Sequence, residues 1–252
     1  MLSLFFFLSF LGETSASSLK GDVKFGYGHY LEDNALELRQ YRIAFDGDIL
    51  PESLISIPID IDLGYKKLGE IKDWREYDLN LELCPQFNLK VGSKVDPAVV
   101  PFLNLGPSFS FIDGGYKDED GNLENNRNSI AGGLKVGGGL LVSIKSISLT
   151  GEAKFRYLFG YTKHSWSYYS YYGRWDEDED EQGWRRREFA VSGSGELEIT
   201  KGIFLKGEAE LLKESSKTTS FSFDGEEYEG DDDWSDWSDG ILFLYLGGGV
   251  KF

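Results

Sequence analysis

Apolar side chains recur at every second position along most of this chain, and no segment shows a convincing helical period. The clearest stretch is 55–66, where Ile55, Ile57, Ile59, Ile61, Leu63 and Tyr65 oppose Ser56, Asp60, Asp62 and Lys66. Successive side chains of a strand point to opposite faces, so this pattern gives a strand with one apolar and one charged side. The same code predicts strands at Leu19 to Tyr30, about 36–49, from Trp74 to Val91, Val99 to Phe111, about 129–143, 147–161, 187–199, 203–213 and Gly240 to Phe252.

Prolines complicate the middle of the chain. Pro85, Pro97, Pro101 and Pro107 interrupt 84–112, and each removes a ladder donor. A turn at 93–97 is preferred over a hairpin at Cys84-Pro85-Gln86, which would add two strands. Pro58, inside the third strand, is a cost the pattern does not remove. Ten strands are expected, with eight and twelve as alternatives. The glycines at 132–133 and 137–139 leave room for large side chains from neighbouring strands or mark bends.

The chain has 252 residues and no apolar run of eighteen or more after its amino terminus, so a helical membrane protein is excluded. Cys84 is the single cysteine, which rules out a disulfide framework or a cysteine metal site. Residues 1–16 read as a signal peptide, with an apolar region from Leu2 to Leu11 and small residues at Thr14-Ser15-Ala16. A basic residue before the apolar region is missing. Residues 17–252 are then the mature domain.

Alternation by itself does not say which face meets water, since a soluble ligand-binding barrel would turn its apolar residues inward. Three features favour a membrane barrel. Charges of both signs share the polar face. The strands run about ten to thirteen residues, enough to cross a bilayer at a tilt. Aromatics crowd strand ends, among them Tyr27, Tyr41, Tyr65, Trp74, Tyr77, Tyr157, Tyr161, Trp166 and Tyr168. Short connections near 50–54, 93–97, 144–146 and 200–202 alternate with long polar ones at Asp113–Asn128, Ser170–Trp184 and Phe223–Gly240. The expected fold is an all-β, closed, antiparallel up-and-down transmembrane β-barrel.

The segments ISLTGEAKFRY (Ile147–Tyr157), VPFLNLGPSFSF (Val100–Phe111) and LFLYLGGGVKF (Leu242–Phe252) resemble those of small bacterial outer-membrane β-barrel proteins. The resemblance covers nearly all of 17–252. It implies a multi-pass place in the bacterial outer membrane, outer-membrane lipid as surroundings, and insertion by the barrel-assembly machinery. Phe252 then resembles the assembly signal of that family. The resemblance specifies architecture and leaves activity open, because the fold hosts adhesins, anchors, enzymes and pores.

The three long connections carry formal charges of −3, −5 and −9, which together equal the net −17 of the chain. The strands and remaining connections therefore balance. Balanced charges on an inward face favour mutual pairing: Lys20, Lys24, Arg42, Lys154 and Arg156 against Asp60, Asp62, Glu82 and Glu152. The acidic connections suit solvation, small cations or a basic surface partner. Asp118, Asp120 and Asn122 supply an oxygen-rich, glycine-containing run suited to a hard cation such as calcium, without the spacing of an EF-hand loop. No other cofactor is expected, and the charge disfavours nucleic acid.

No enzyme is expected. The two histidines, His29 and His164, lie near the rim. Ten-stranded outer-membrane proteases place an Asp two residues before their catalytic His, and that position before His164 is Thr162. The function expected is a structural or surface-interaction barrel with an ion-paired interior, with a narrow cation-preferring porin-like channel as the alternative.

Overall fold

The computed structural model describes residues 19–30, 38–49, 54–68, 75–89, 98–117, 123–169, 175–223, 226–230, 233–235, 237–238 and 240–251. They form twelve strands. These are β1 (Leu19–Tyr30), β2 (Leu38–Ile49), β3 (Ile55–Leu68), β4 (Arg75–Leu83), β5 (Gln86–Asn88) and β6 (Ala98–Lys117), then β7 (Leu123–Ile144), β8 (Ile147–Tyr169), β9 (Trp175–Thr200), β10 (Ile203–Phe223), β11 (Glu226–Glu229) and β12 (Ile241–Lys251). Each pairs antiparallel with its neighbours, and β12 pairs with both β10 and β1, so the sheet closes on itself. Strands β4 and β5 share one position in the ring between β3 and β6, and β11 is a short addition to β10. The ring therefore has ten positions, and closure removes every edge within it.

The break between β4 and β5 explains how the prolines are tolerated. Strand residues direct their N–H and C=O to the same neighbour, and the Pro58 carbonyl accepts from Cys84 N at 3.2 Å. The donor missing from Pro58 therefore faces the interruption at Cys84-Pro85, not a regular ladder. Beyond the interruption the Pro85 carbonyl accepts from Leu105 N at 3.2 Å and the ring continues. No hairpin forms at Cys84-Pro85-Gln86. The expected turn at 93–97 lies outside the described residues, as do the signal peptide, Trp74 and Phe252.

Strand lengths differ around the ring. β1, β2 and β12 have 12, 12 and 11 residues, close to what a bilayer crossing needs. β7, β8, β9 and β10 have 22, 23, 26 and 21, roughly double, and rise as a wall on one side of the barrel. This corrects the connections expected at Asp113–Asn128 and Ser170–Trp184. Asp113–Lys117, Leu123–Asn128 and Trp175–Trp184 are strand, so the acidic run 176–181 belongs to β9. Beyond an apolar slab both faces are wet and alternation disappears, although the backbone ladder continues. At the opposite end, Lys145-Ser146 and Lys201-Gly202 make two-residue turns, with positive φ at Lys145 (51°) and Gly202 (79°).

The apolar face points outward. Phe25, Leu134 and Leu246 are 63%, 60% and 69% exposed, while Lys135 and Glu188 on the other face are 4% and 3% exposed. Outward residues are apolar for about five to eight consecutive outward positions on each long strand. Across β1 to β4, Tyr27, Tyr41, Tyr65 and Tyr77 pair in one register row at the upper limit of this belt, with ring centroids 5.6, 6.5 and 5.3 Å apart. A belt this large and continuous is far beyond the apolar patches of soluble monomers, and it matches a hydrocarbon surrounding. Trp166 and Tyr168, expected among the interfacial aromatics, stand instead on the wall above the belt, on the face that continues the lumen.

Candidate functional site

The lumen is built by the second face of the same strands. Asp22 and Lys24 of β1, Arg42 and Asp46 of β2, Asp60 and Asp62 of β3 and Glu82 of β4 meet Lys135 of β7, Glu152, Lys154 and Arg156 of β8, Glu188 and Glu196 of β9, and Lys206, Glu208 and Glu210 of β10. A charge withdrawn from water is tolerated when an opposite charge and hydrogen bonds replace the water. Lys24 Nζ lies 2.6 Å from Asp46 and 2.7 Å from Glu208, and Lys206 lies 2.9 Å from Asp46 and 3.1 Å from Asp22. Lys135 Nζ lies 2.6 Å from Glu82 and 3.5 Å from Asp60, while Arg156 reaches Glu82 at 2.9 Å. Arg156 also pairs with Glu188, and Lys154 with Glu210.

All nine residues anticipated for the lumen face it, but only two of the anticipated cations meet anticipated acids. Arg42 pairs with Asp62 at 2.8 Å, and Arg156 with Glu82. Lys20 meets Glu196 at 2.5 Å instead, and Glu152 accepts from the Asn104 amide at 2.8 Å. Lys135, Glu188, Glu196, Lys206, Glu208, Glu210, Asp22 and Asp46 complete the set. Most of these were visible as the polar face of a strand. Lys135 sits among the glycines of β7, and Glu188 follows three arginines, so neither stood out.

A second, apolar layer crosses the lumen. Ala44, Ala190, Leu212, Ile241, Phe243 and Tyr245 form a buried cluster, and Phe243 has no exposed surface. Both aromatics come from the inward face of β12. They fit because their partners on β1 are glycines: Gly28 pairs with Phe243 and Gly26 with Tyr245. A Cβ added at either glycine would stand 2.4 Å from the ring opposite. Phe102 lies against Gly139 in the same way, which fits the expectation for the β7 glycines. The Arg42 guanidinium covers the Phe243 ring at 4.3 Å, tying the apolar layer to the ion pairs.

Between this layer and the short turns lies a cavity of about 530 Å³. Its lining runs from Lys20, Asp48, Ser148 and Lys251 up to Arg42 and Tyr245, and does not include Phe243, Leu158 or Leu212. On the far side, above the belt, Arg127, His164 and Asp180 occupy one register row across β7, β8 and β9. Burial pulls the His164 imidazole below its ordinary value, with Asp180 opposing and Arg127 assisting.

Among the described residues no group of three or more His, Cys, Asp or Glu is arranged to hold a metal ion. The calcium candidates Asp118, Asp120 and Asn122 lie outside them. Geometry and composition together define a ten-position, inside-out antiparallel β-barrel with a charged, apolar-capped lumen.

No protein-family model and no curated protein sequence matches the chain. Solved structures with a similar fold include outer-membrane barrels, the class the sequence resembles. The outer membrane protease OmpT of Escherichia coli is 12% identical, with 94% of this chain and 95% of that one covered and a TM-score of 0.40. A major outer membrane protein of Thermus thermophilus is 16% identical, with 93% and 99% covered and a TM-score of 0.40. The β domain of the Bordetella autotransporter BrkA is 11% identical, with 94% and 100% covered and a TM-score of 0.44.

Proposed function

We propose that this protein is an integral barrel of a bacterial outer membrane, exported by a signal peptide and inserted by the assembly machinery. In this reading it is closed to solutes and acts as a structural or surface-interaction element. The observation that carries it is the apolar layer around Phe243, stacked on the Arg42–Asp62 and Arg156–Glu188 pairs, above a cavity that ends beneath it. Any contact outside the membrane then falls to the wall formed by β6 to β10. Its acidic β9 segment suits a basic partner or small cations, and its residues carry no catalytic role. Planar-bilayer recording on the refolded protein tests closure: the expected trace has no steady conductance steps, and persistent ion-selective steps refute it.

One observation favours the alternative of a narrow cation-preferring channel. The cavity lining holds ten Asp or Glu against eight Lys or Arg, so an open lumen would prefer cations. Recording Phe243→Ala under a salt gradient separates the two readings. Steps that need the substitution support closure, and equal steps in both proteins support the channel. His164→Ala is expected to leave no hydrolytic activity missing on lipid or peptide substrates.

A further inference from the structure

The apolar belt ends at a defined outward position on each strand, and the residue just above it is basic far more often than the composition suggests. It is Lys67 on β3, Arg75 on β4, Lys163 on β8, Arg187 on β9 and Lys213 on β10, with Arg39 at the matching register position of β2. Only Asp113 on β6 is acidic, in a chain of net charge −17. Two of these cations oppose one another directly: Lys67 pairs in register with Arg75. Like charges facing across strands destabilise a sheet unless an anion lies between them.

The most built of these positions is Arg187. Its guanidinium stands 3.9 Å from the Trp234 ring and 5.3 Å from the Trp237 ring, and Lys217 approaches Trp234 at 5.8 Å. The segment carrying both indoles is fixed to β10: Ser235 N donates to the Ser216 carbonyl at 2.8 Å, Ser216 N donates to Ser235 Oγ at 2.9 Å, and Ser238 N donates to the Glu214 carbonyl at 2.9 Å. Arg187 donates one hydrogen bond, from Nη2 to Ser215 Oγ at 3.1 Å. Its other N–H groups have no acceptor among the described residues, its Nε is withdrawn from solvent, and no carboxylate there forms an ion pair with it. By contrast, Lys163 is satisfied by Glu179 at 2.7 Å.

We infer that Arg187, framed by Trp234 and Trp237, binds a phosphate group at the outer boundary of the belt, carried by a membrane lipid whose chains lie against Phe189 and Val191. A guanidinium with unused donors matches phosphate geometry, and indole faces hold it in place without spending those donors. Phe189 and Val191 are the next outward residues of β9 below Arg187, both exposed, so an acyl chain continues down the same face. The inference rests on the belt lying in a membrane.

The test uses the full chain refolded in nonionic maltoside micelles, with native mass spectrometry counting retained lipid. Phosphatidic acid is compared with diacylglycerol of the same chains and with inorganic phosphate. Wild type is expected to retain phosphatidic acid about tenfold better than diacylglycerol, a preference that Arg187→Gln removes and Lys163→Gln leaves intact. Equal retention of the two lipids, or an unchanged preference in folded Arg187→Gln, overturns the site. Competition by inorganic phosphate at equal concentration overturns the lipid assignment. Flotation with phosphatidylcholine vesicles tests the membrane reading separately: a chain that floats without the preference refutes only the site.

Discussion

Glu82 is a lumen carboxylate paired with two cations, and Glu82→Gln is the sharpest probe of it. The carboxylate meets Lys135 at 2.6 Å through Oε2 and Arg156 at 2.9 Å through Oε1, and the Glu82 and Lys135 side chains are 8% and 4% exposed. Removing one member of a buried pair costs about 3–5 kcal/mol, because the remaining charge is left without compensation. Two alternatives soften the loss, since Lys135 keeps Asp60 at 3.5 Å and Arg156 keeps Glu188. The lower end, about 3 kcal/mol, is therefore expected. With a urea slope of about 2–3 kcal/mol/M, the unfolding midpoint falls by roughly 1–1.5 M. Glu82→Gln combined with Lys135→Gln removes the stranded ammonium but takes the Lys135 partner from Asp60, so it is expected to recover only about 1 kcal/mol of the loss. Tryptophan fluorescence during urea unfolding in micelles reads both values. A single variant within about 0.5 kcal/mol of wild type, or a double variant weaker than the single, refutes the pairing argument.

Phe243→Ala removes the apolar cap and is expected to cost about 3–5 kcal/mol in the same unfolding assay. Gly28→Val sets a side chain where even a Cβ would stand 2.4 Å from Phe243, and is expected to cost several times more than Gly151→Ala, where nothing lies within 4 Å; the ratio of the two losses is the check. Because burial holds the His164 imidazole below its ordinary value, the unfolded chain binds that proton at higher pH than the folded one. Stability should fall as pH is lowered through the imidazole range, and His164→Gln should flatten that limb in unfolding series from pH 8 to about 5.

Local physics made much of this fold legible. Within the belt every residue is either lipid-facing or lumen-facing, so alternation located β1, β3 and β12 to within a residue or two. Above the belt that distinction vanishes, and the upper ends of β6, β7 and β9 read as acidic connections. The lumen partners were only partly legible for a different reason. Alternation says that Lys24 points inward, but its partner Glu208 is 184 positions away and adjacent only because the ring closes. Composition did carry a usable signal at Gly26 and Gly28. Two glycines on one face of an otherwise bulky strand announce large neighbours, here Tyr245 and Phe243.

The terminal strand shows why one face of a strand is an incomplete guide. Leu242, Leu244, Leu246, Gly248 and Val250 make its outward side apolar, and that side alone places β12 in lipid. Its inward side carries Ile241, Phe243 and Tyr245 followed by Gly247 and Gly249, so the same strand is bulky toward the wall and slender toward the turns. The bulky half meets Gly26 and Gly28 of β1, and the slender half meets Asp22 and Lys24. Closure of the ring therefore fixes two things at once. It satisfies the last edge, and it sets the apolar layer above the ion pairs, so in the proposed closed reading the strand that completes the barrel is also the one that blocks it.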